Sequence, residues 1–255
     1  EDLERLHAGG DAPRLGTVLM SDDAADVAYM DRKHERCAAL GVPTERVDVP
    51  PDAPARELYD AVERLAADGD VTALFVQVPL PDHVDAGAVR ARVPPAKDVD
   101  CFAPANLGRL VAGRPSVVPA TTAAVRRLLD AYDVATAGRE VVEVGRSTAI
   151  GTPLANLLLD RDAGDATVTV CHSRTRDLGA HTRRADVLVT AAGAPGLVDG
   201  SMVSPGVSVV DVSVNRVAVD GAEPSGSAGG ADPGDEYELV GDVDADTVRP
   251  RADAI

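Results

Sequence analysis

The chain has 255 residues, 45% of them hydrophobic, enough to bury one large domain or two compact ones and too apolar for intrinsic disorder. Aromatic residues make up only 2% and tryptophan is absent, which argues against the base-stacking surfaces of nucleic-acid binders. A net charge of −17 repels phosphate backbones and anionic membranes alike.

LGTVLM at 15–20 reads as a strand, followed by a helix from Asp22 to Leu40 that Gly41 ends. A short strand is predicted over Arg46 to Val49. Residues 54–68 form an amphipathic helix with Leu58, Val62 and Leu65 on one face. ALFVQVPLP at 73–81 is an apolar strand running into a Pro-punctuated loop. Such alternation implies parallel strands covered by helices. Segment 94–122, with PPAKDVD, APANLGRL and GRPSVVPATT, breaks the rhythm and reads as long functional loops.

A helix at 121–132 leads to a second apolar strand, EVVEVG at 140–145. A glycine turn, a helix at 153–161 and the strand TVTV at 167–170 follow, then a helix and the strands VLVTAAG at 187–193 and VSVVDVSV at 207–214. That order is a dinucleotide-binding βαβ array. Residues 221–236 are rich in Gly, Ser, Pro and acids and read as a surface loop. Glu143 fits poorly in a strand expected to be buried on both faces, and the sequence offers no account of it.

The acids are dispersed, as on a solvated surface. Only Lys33 and Lys97 are lysines; every other basic residue is arginine. An acidic, lysine-poor surface suits multimolar salt, where the Debye length falls to about 3 Å. Where lysine is so scarce, each one present is a candidate for work that arginine cannot do. Cys37, Cys101 and Cys171 have neither zinc nor disulfide spacing, which fits a reducing compartment. With no membrane-length apolar run and no signal-peptide pattern, a soluble cytoplasmic protein is expected. The first residue is Glu rather than Met, as in a piece of a longer chain.

In VGRSTAIGTP (144–153), Gly145 permits a sharp turn and Gly151 lets backbone approach a pyrophosphate above a helix N-terminus. The spacing is G-x-x-x-x-x-G rather than G-x-G-x-x-G, and a plain strand-to-helix turn is the alternative. An NAD enzyme tends to place an acid after the next strand. Here Ser173, Arg174 and Arg176 suit a 2′-phosphate, so NADP is favoured, and Arg146 offers a further phosphate contact. His172 and Cys171 lack a third metal ligand and read as loop residues.

Six segments in order carry a resemblance: SDDAADVAYMDRK (21–33), VQVPLP (76–81), KDVDCFAPANLGRL (97–110), VGRSTAIGTP, VTVCHSRT (168–175) and VGDVD (240–244). Together they resemble the bifunctional methylenetetrahydrofolate dehydrogenase/methenyltetrahydrofolate cyclohydrolase family, often called FolD. The resemblance implies a two-domain α/β fold, with a folate-binding catalytic domain over 1–118 and a Rossmann-type NADP domain over 119–255. It implies a cleft between them and a homodimer acting on tetrahydrofolate derivatives. Tyr29 and Lys33 correspond to the family's helix-borne Tyr and catalytic Lys, Gln77 to its strand-end Gln, and Asp100 to the second acid of KDVD. Lys33, Gln77 and Asp100 are thereby the catalytic candidates, with Tyr29, Val78, Pro79 and Leu80 joining them at the folate. Gly145, Arg146, Ser147, Gly151, Ser173, Arg174, Arg176, Ala192 and Gly193 are the cofactor candidates.

Each assignment has a plainer alternative. Lys33 would be a surface lysine on a polar helix face, Tyr29 core packing, and Asp100 a loop or capping acid. The chain also departs from the family. Asp26 stands where the family has Ser, Cys101 for Gly, Ala103 for His, and Pro119-Ala120-Thr121-Thr122 for Pro-Cys-Thr-Pro. Thr152 replaces Lys, and Ser213 replaces Gly. These changes leave open a dehydrogenase without cyclohydrolase activity, or a non-catalytic NADP- or folate-binding paralogue. A shikimate-type dehydrogenase shares the architecture but does not account for VQVPLP and KDVD together. The family continues past the position of Ile255 into a Pro/Gly-rich motif and a helix, so a further segment is expected there.

Overall fold

The computed structural model describes residues 13–218 and 237–255; the segment 221–236 read as a loop lies outside them. The chain divides into two compact units, Glu1–Arg109 with Pro115–Val117, and Leu110–Arg114 with Val118–Ile255.

In the first unit β1 (Leu15–Leu19), β2 (Thr44–Asp48) and β3 (Ala73–Val76) form a parallel sheet in the order β2-β1-β3. Parallel neighbours need crossovers, supplied by α1 (Ala24–Ala39) and α2 (Ala55–Ala67). α1 begins where the Asp23 carboxylate accepts from the Ala25 and Asp26 N–H groups. Leu58, Val62 and Leu65 of α2 are each 0% exposed and pack with Val18, Leu74 and Val76, a burial that contributes roughly 1.5–3 kcal/mol per side chain before entropy. No glycine ends α2. Instead Lys97 Nζ donates to Ala66 O at 2.7 Å and Asp68 O at 2.6 Å, so one of the two lysines serves as a helix cap.

Three sequence expectations shift here. β2 starts two residues before Arg46. Within 73–81 the strand gives way to a loop as expected: pairing stops after the Gln77 N–H reaches Val18 O at 2.9 Å, because Pro79 and Pro81 cannot continue it. α3 (Ala86–Arg92) has no counterpart among the expected elements, and α4 (Pro104–Val111) forms inside the 94–122 stretch expected to be loop. Both are short, and α4 opens on a proline, which suits a first helical position but reads as a breaker.

The second unit runs α5 (Ala120–Ala131), β4 (Glu140–Val144), α6 (Gly151–Leu159), β5 (Thr167–Cys171), α7 (Leu178–Thr182), β6 (Val187–Thr190) and β7 (Val207–Asp211). An antiparallel pair, β8 (Asn215–Ala218) with β9 (Tyr237–Val240), follows, then α8 (Ala245–Val248) and β10 (Ala252–Ala254). Five parallel strands lie in the order β10-β7-β6-β4-β5. Chain order reverses at β4, with β5 on one side and β6 on the other, which is where doubly wound sheets open a crevice at the strand C-termini. Val141, Val187 and Val189 pack under Leu129 of α5 and Leu154 and Leu158 of α6; Val142, Val144, Leu188 and Val209 fill the opposite face. The expected α/β fold with parallel sheets is thus what the chain adopts.

Candidate active site

Two groups of residues gather at strand C-termini, one in each unit. In the first, the end of β1 leads through Ser21 into α1 while Gln77 follows the neighbouring β3. Ser21 Oγ donates to Asp26 Oδ2 at 2.7 Å, and Gln77 Nε2 donates to Asp26 Oδ1 at 3.2 Å and to Val78 O at 2.9 Å. A carboxylate only accepts, so this pairing fixes which way the Gln77 amide points. Its Oε1 is left buried without a partner among the described residues.

Asp26, Tyr29 and Lys33 recur at helical spacing along one face of α1. Tyr29 is 46% exposed, so it is not core packing; Met30 beside it is the buried residue of α1. Lys33 does not extend into water either. Its Nζ is buried, lies 3.1 Å from the centroid of the Tyr29 ring and 4.4 Å from that of Phe75, and has no hydrogen-bond partner among the described residues. Lost hydration lowers its pKa from 10.5 to about 8; Asp100 and Asp26 pull it up and Arg32 pulls it down. Val78, Pro79 and Leu80 carry the chain away from Gln77, with Val78 and Leu80 packed on the core.

The first acid of KDVD, Asp98, caps the turn that follows it. Asp98 is 6% exposed; its Oδ1 accepts from Asp100 N and Phe102 N, and its Oδ2 from Ala103 N and Asn106 Nδ2. That knot holds the turn on which Asp100 stands. Cys101, where the family has Gly, keeps a left-handed φ of +55° and is buried. Burial and the nearby Asp98 and Asp100 push its thiol up to about 11, an inert state.

In the second unit a cavity of about 480 Å³ opens at the switch point. Of the cofactor candidates, Gly145, Arg146, Ser147, Ser173 and Ala192 line it, together with His172, Thr175, Leu178 and Leu197. Gly151, Arg174, Arg176 and Gly193 are not among its lining residues. Gly145 has φ +146°, and a Cβ there would meet Ala191 O at 2.6 Å, so the turn requires glycine. His172 lies in the loop after β5, as expected, and shapes the wall: its N–H donates to Thr175 Oγ1 at 2.8 Å and its Nδ1 accepts from Arg174 N at 3.1 Å. Apolar walls beside hydroxyls and arginine fit a phosphorylated dinucleotide.

The sequence pattern also missed Asp242. Fully buried, it accepts from the N–H groups of Ala192 (2.6 Å), Gly193 (3.2 Å) and Ala194 (2.7 Å), from Ser213 Oγ (2.7 Å) and from Asn215 Nδ2 (3.1 Å). It therefore sets the loop after β6. Ser213, a departure from the family's Gly, takes part by also accepting from Gly193 N at 3.2 Å. The VGDVD motif flagged this segment without indicating that its first acid faces inward.

Family models match most of the chain. Residues 1–100 match the tetrahydrofolate dehydrogenase/cyclohydrolase catalytic domain and 119–255 its NAD(P)-binding domain. The bifunctional protein FolD of Haloquadratum walsbyi is 47% identical over 254 residues, 99% of this chain and 77% of that protein. That of Natronomonas pharaonis is 49% identical, over 99% and 82%. Among solved structures, Trypanosoma brucei methylenetetrahydrofolate dehydrogenase-cyclohydrolase complexed with NADP and inhibitor superimposes with a TM-score of 0.85 at 36% identity, covering 100% of this chain and 82% of that one. The Campylobacter jejuni bifunctional enzyme gives 0.84 at 34%, covering 99% and 83%. The chain belongs to the tetrahydrofolate dehydrogenase/cyclohydrolase family.

Proposed function

We propose that the protein oxidises 5,10-methylenetetrahydrofolate to 5,10-methenyltetrahydrofolate with NADP and hydrolyses that product to 10-formyltetrahydrofolate. The observation that carries the reading is the Lys33 amine, buried against Tyr29 with a pKa of about 8 and no hydrogen-bond partner among the described residues. Such an amine exchanges protons near neutral pH, as arginine cannot.

Hydride removal from the folate methylene carbon demands placement at roughly 3–3.5 Å more than acid or base. Tyr29, Val78, Pro79 and Leu80 hold the folate for it, and Asp100 grips the pterin. NADP would supply the hydride acceptor; Gly145, Arg146, Ser147, Ser173 and Ala192, which line the cavity, would hold and orient it, with Gly151, Arg174, Arg176 and Gly193 as the neighbouring candidates. In the hydrolysis, water forms a bond to the methenyl carbon and loses a proton to the Lys33 amine. The carbinol hydroxyl then gives up its proton as the formyl C=O forms and the C–N5 bond opens, N5 takes a proton from the Lys33 ammonium, and one proton is released overall. Gln77, its amide fixed by Asp26, presents Oε1 to orient the amine or the water.

On the family resemblance we also assign a cytoplasmic homodimer, which mass measurement in solution tests. No described helix is long and apolar enough to cross a membrane. The test of function is an assay with both folates and both nicotinamide nucleotides in high salt. Reduction of NADP without consumption of methenyltetrahydrofolate would leave a monofunctional dehydrogenase; neither reaction would leave a binding protein.

A further inference from the structure

Glu143 sits on β4, the strand at which the sheet order reverses. It is 0% exposed, and neither carboxyl oxygen has a hydrogen-bond partner among the described residues. Burial alone raises its pKa to about 8, so it is protonated at neutral pH. No ionisable side chain is among the residues packed around it on the sheet face. In the sheet it stands between Val170 of β5 and Val189 of β6. Of the buried residues of α5 and α6 on that sheet face, Val125, Leu129, Leu154 and Leu158 are apolar and Thr122 adds a hydroxyl without a partner among the described residues; none is ionisable. The one charged residue of the turn above, Arg146, is exposed.

The carboxyl nevertheless has a neighbour of functional weight. A Cβ on Gly151 would lie 2.6 Å from Glu143 Oε1, 2.8 Å from Gly145 O and 2.9 Å from Arg146 Cα. The acid therefore presses on the underside of the glycine turn and on the first residue of α6. Gly145 and Arg146 of the same turn line the cavity, so a pyrophosphate held there and a carboxylate on Glu143 would be like charges at one turn. In so apolar a setting their repulsion is weakly screened. A neutral acid in the same place exerts none.

We propose that Glu143 is a proton-linked positioning residue of the cofactor turn: NADP binds while its carboxyl is protonated, and loss of that proton disfavours the nucleotide. The inference rests on the NADP reading above. By reciprocity, binding NADP must draw a proton onto Glu143.

Calorimetric titration of NADP into the whole protein, Glu143→Gln and Glu143→Val tests this. If only the protonated form binds, wild-type affinity falls about tenfold between about pH 7 and 9, a range in which the nucleotide's phosphates stay ionised. Near pH 8 the wild-type heat should vary with the ionisation enthalpy of the buffer, reporting proton uptake; both variants should bind with flat affinity and no uptake. Equal pH dependence in wild type and Glu143→Gln, or no proton uptake by wild type, overturns the proposal, and the uptake reading needs no variant to fold. No binding by any of the three near pH 7 overturns the NADP assignment itself, and this inference with it.

Discussion

The Lys33 amine stands 3.1 Å from the centroid of the Tyr29 ring, one helical turn away on α1. The ring face attracts the ammonium form, but loss of water outweighs it and brings the pKa to about 8. Roughly a tenth of the molecules then carry a neutral amine at pH 7. Lys33→Arg keeps the charge but loses the titratable amine, because guanidinium stays protonated, so cyclohydrolase turnover should fall by about 10²–10⁴-fold. Dehydrogenase turnover should suffer less, since it depends on placement. Assaying both activities on one preparation with unchanged circular dichroism checks this; undiminished cyclohydrolase activity would falsify the role.

Asp26 gives a pH prediction. It raises the Lys33 pKa, and a base that must lose a proton gains activity as pH rises through that pKa, here about 8. Asp26→Asn removes the negative charge, so the acid limb of the cyclohydrolase pH profile should move to lower pH. Asp26→Ser, the family's residue, should move it the same way. Both should also loosen the Gln77 amide and lower kcat. A limb that stays in place in both variants rules out electrostatic coupling between Asp26 and Lys33.

How much of this was legible follows from where each signal lies. Leu58, Val62 and Leu65 announce α2 because the helical period and the buried face coincide. The family resemblance set Tyr29 and Lys33 on a helix and Gln77 at a strand end, where the structure has them. Asp98 and Asp242 were invisible as hubs because their partners are mostly backbone N–H groups, which no residue identity records. Local pattern missed α3 and α4 because they are short and begin at turn residues. Glu143 stood out as a polar residue in an apolar strand, but its relation to Gly151 exists only in three dimensions.

Cofactor choice can be read at the turn after β5. Ser173 lines the cavity, and Arg174 and Arg176 follow on the same exposed turn. NADP should be preferred over NAD in kcat/KM, and replacing both arginines by alanine should cut that preference by about tenfold or more, since charge-assisted contacts contribute about 1.5–3 kcal/mol each. Equal use of the two nucleotides by the unaltered enzyme would exclude a 2′-phosphate site here.

Glu143 also has a stability consequence. Its pKa of 4.5 rises to about 8 on burial, so the folded state keeps a proton that the unfolded chain gives up. Its contribution is fully present below pH 4.5 and is lost as pH rises towards about 8, at up to about 1.4 kcal/mol per pH unit. Glu143→Gln should flatten that slope. Glu143→Val, which removes two unpartnered buried oxygens, should raise stability by about 1–3 kcal/mol near pH 8. Denaturant titrations at several pH values decide; an unchanged slope in Glu143→Gln places the titration elsewhere.

The surface predicts how the protein responds to salt. A net charge of −17 on a chain with only two lysines, one of them tied to the end of α2, leaves a shell of carboxylates that repel one another. At 0.1 M ionic strength the Debye length is about 10 Å, and near 1 M it is about 3 Å, so added potassium chloride should relieve much of that repulsion. Screening also weakens attractive pairs, but those on the surface, such as Arg56–Asp60 with side chains 86% and 62% exposed, contribute about 0–1 kcal/mol each at most. With acids well in excess of bases, relief of repulsion wins. The thermal midpoint should therefore climb with potassium chloride from 0.1 M to beyond 1 M, whereas a protein of balanced charge would change little over that range. Melts across this series at fixed pH decide the matter, and a flat or falling midpoint would remove salt adaptation as the reason for so acidic and lysine-poor a chain.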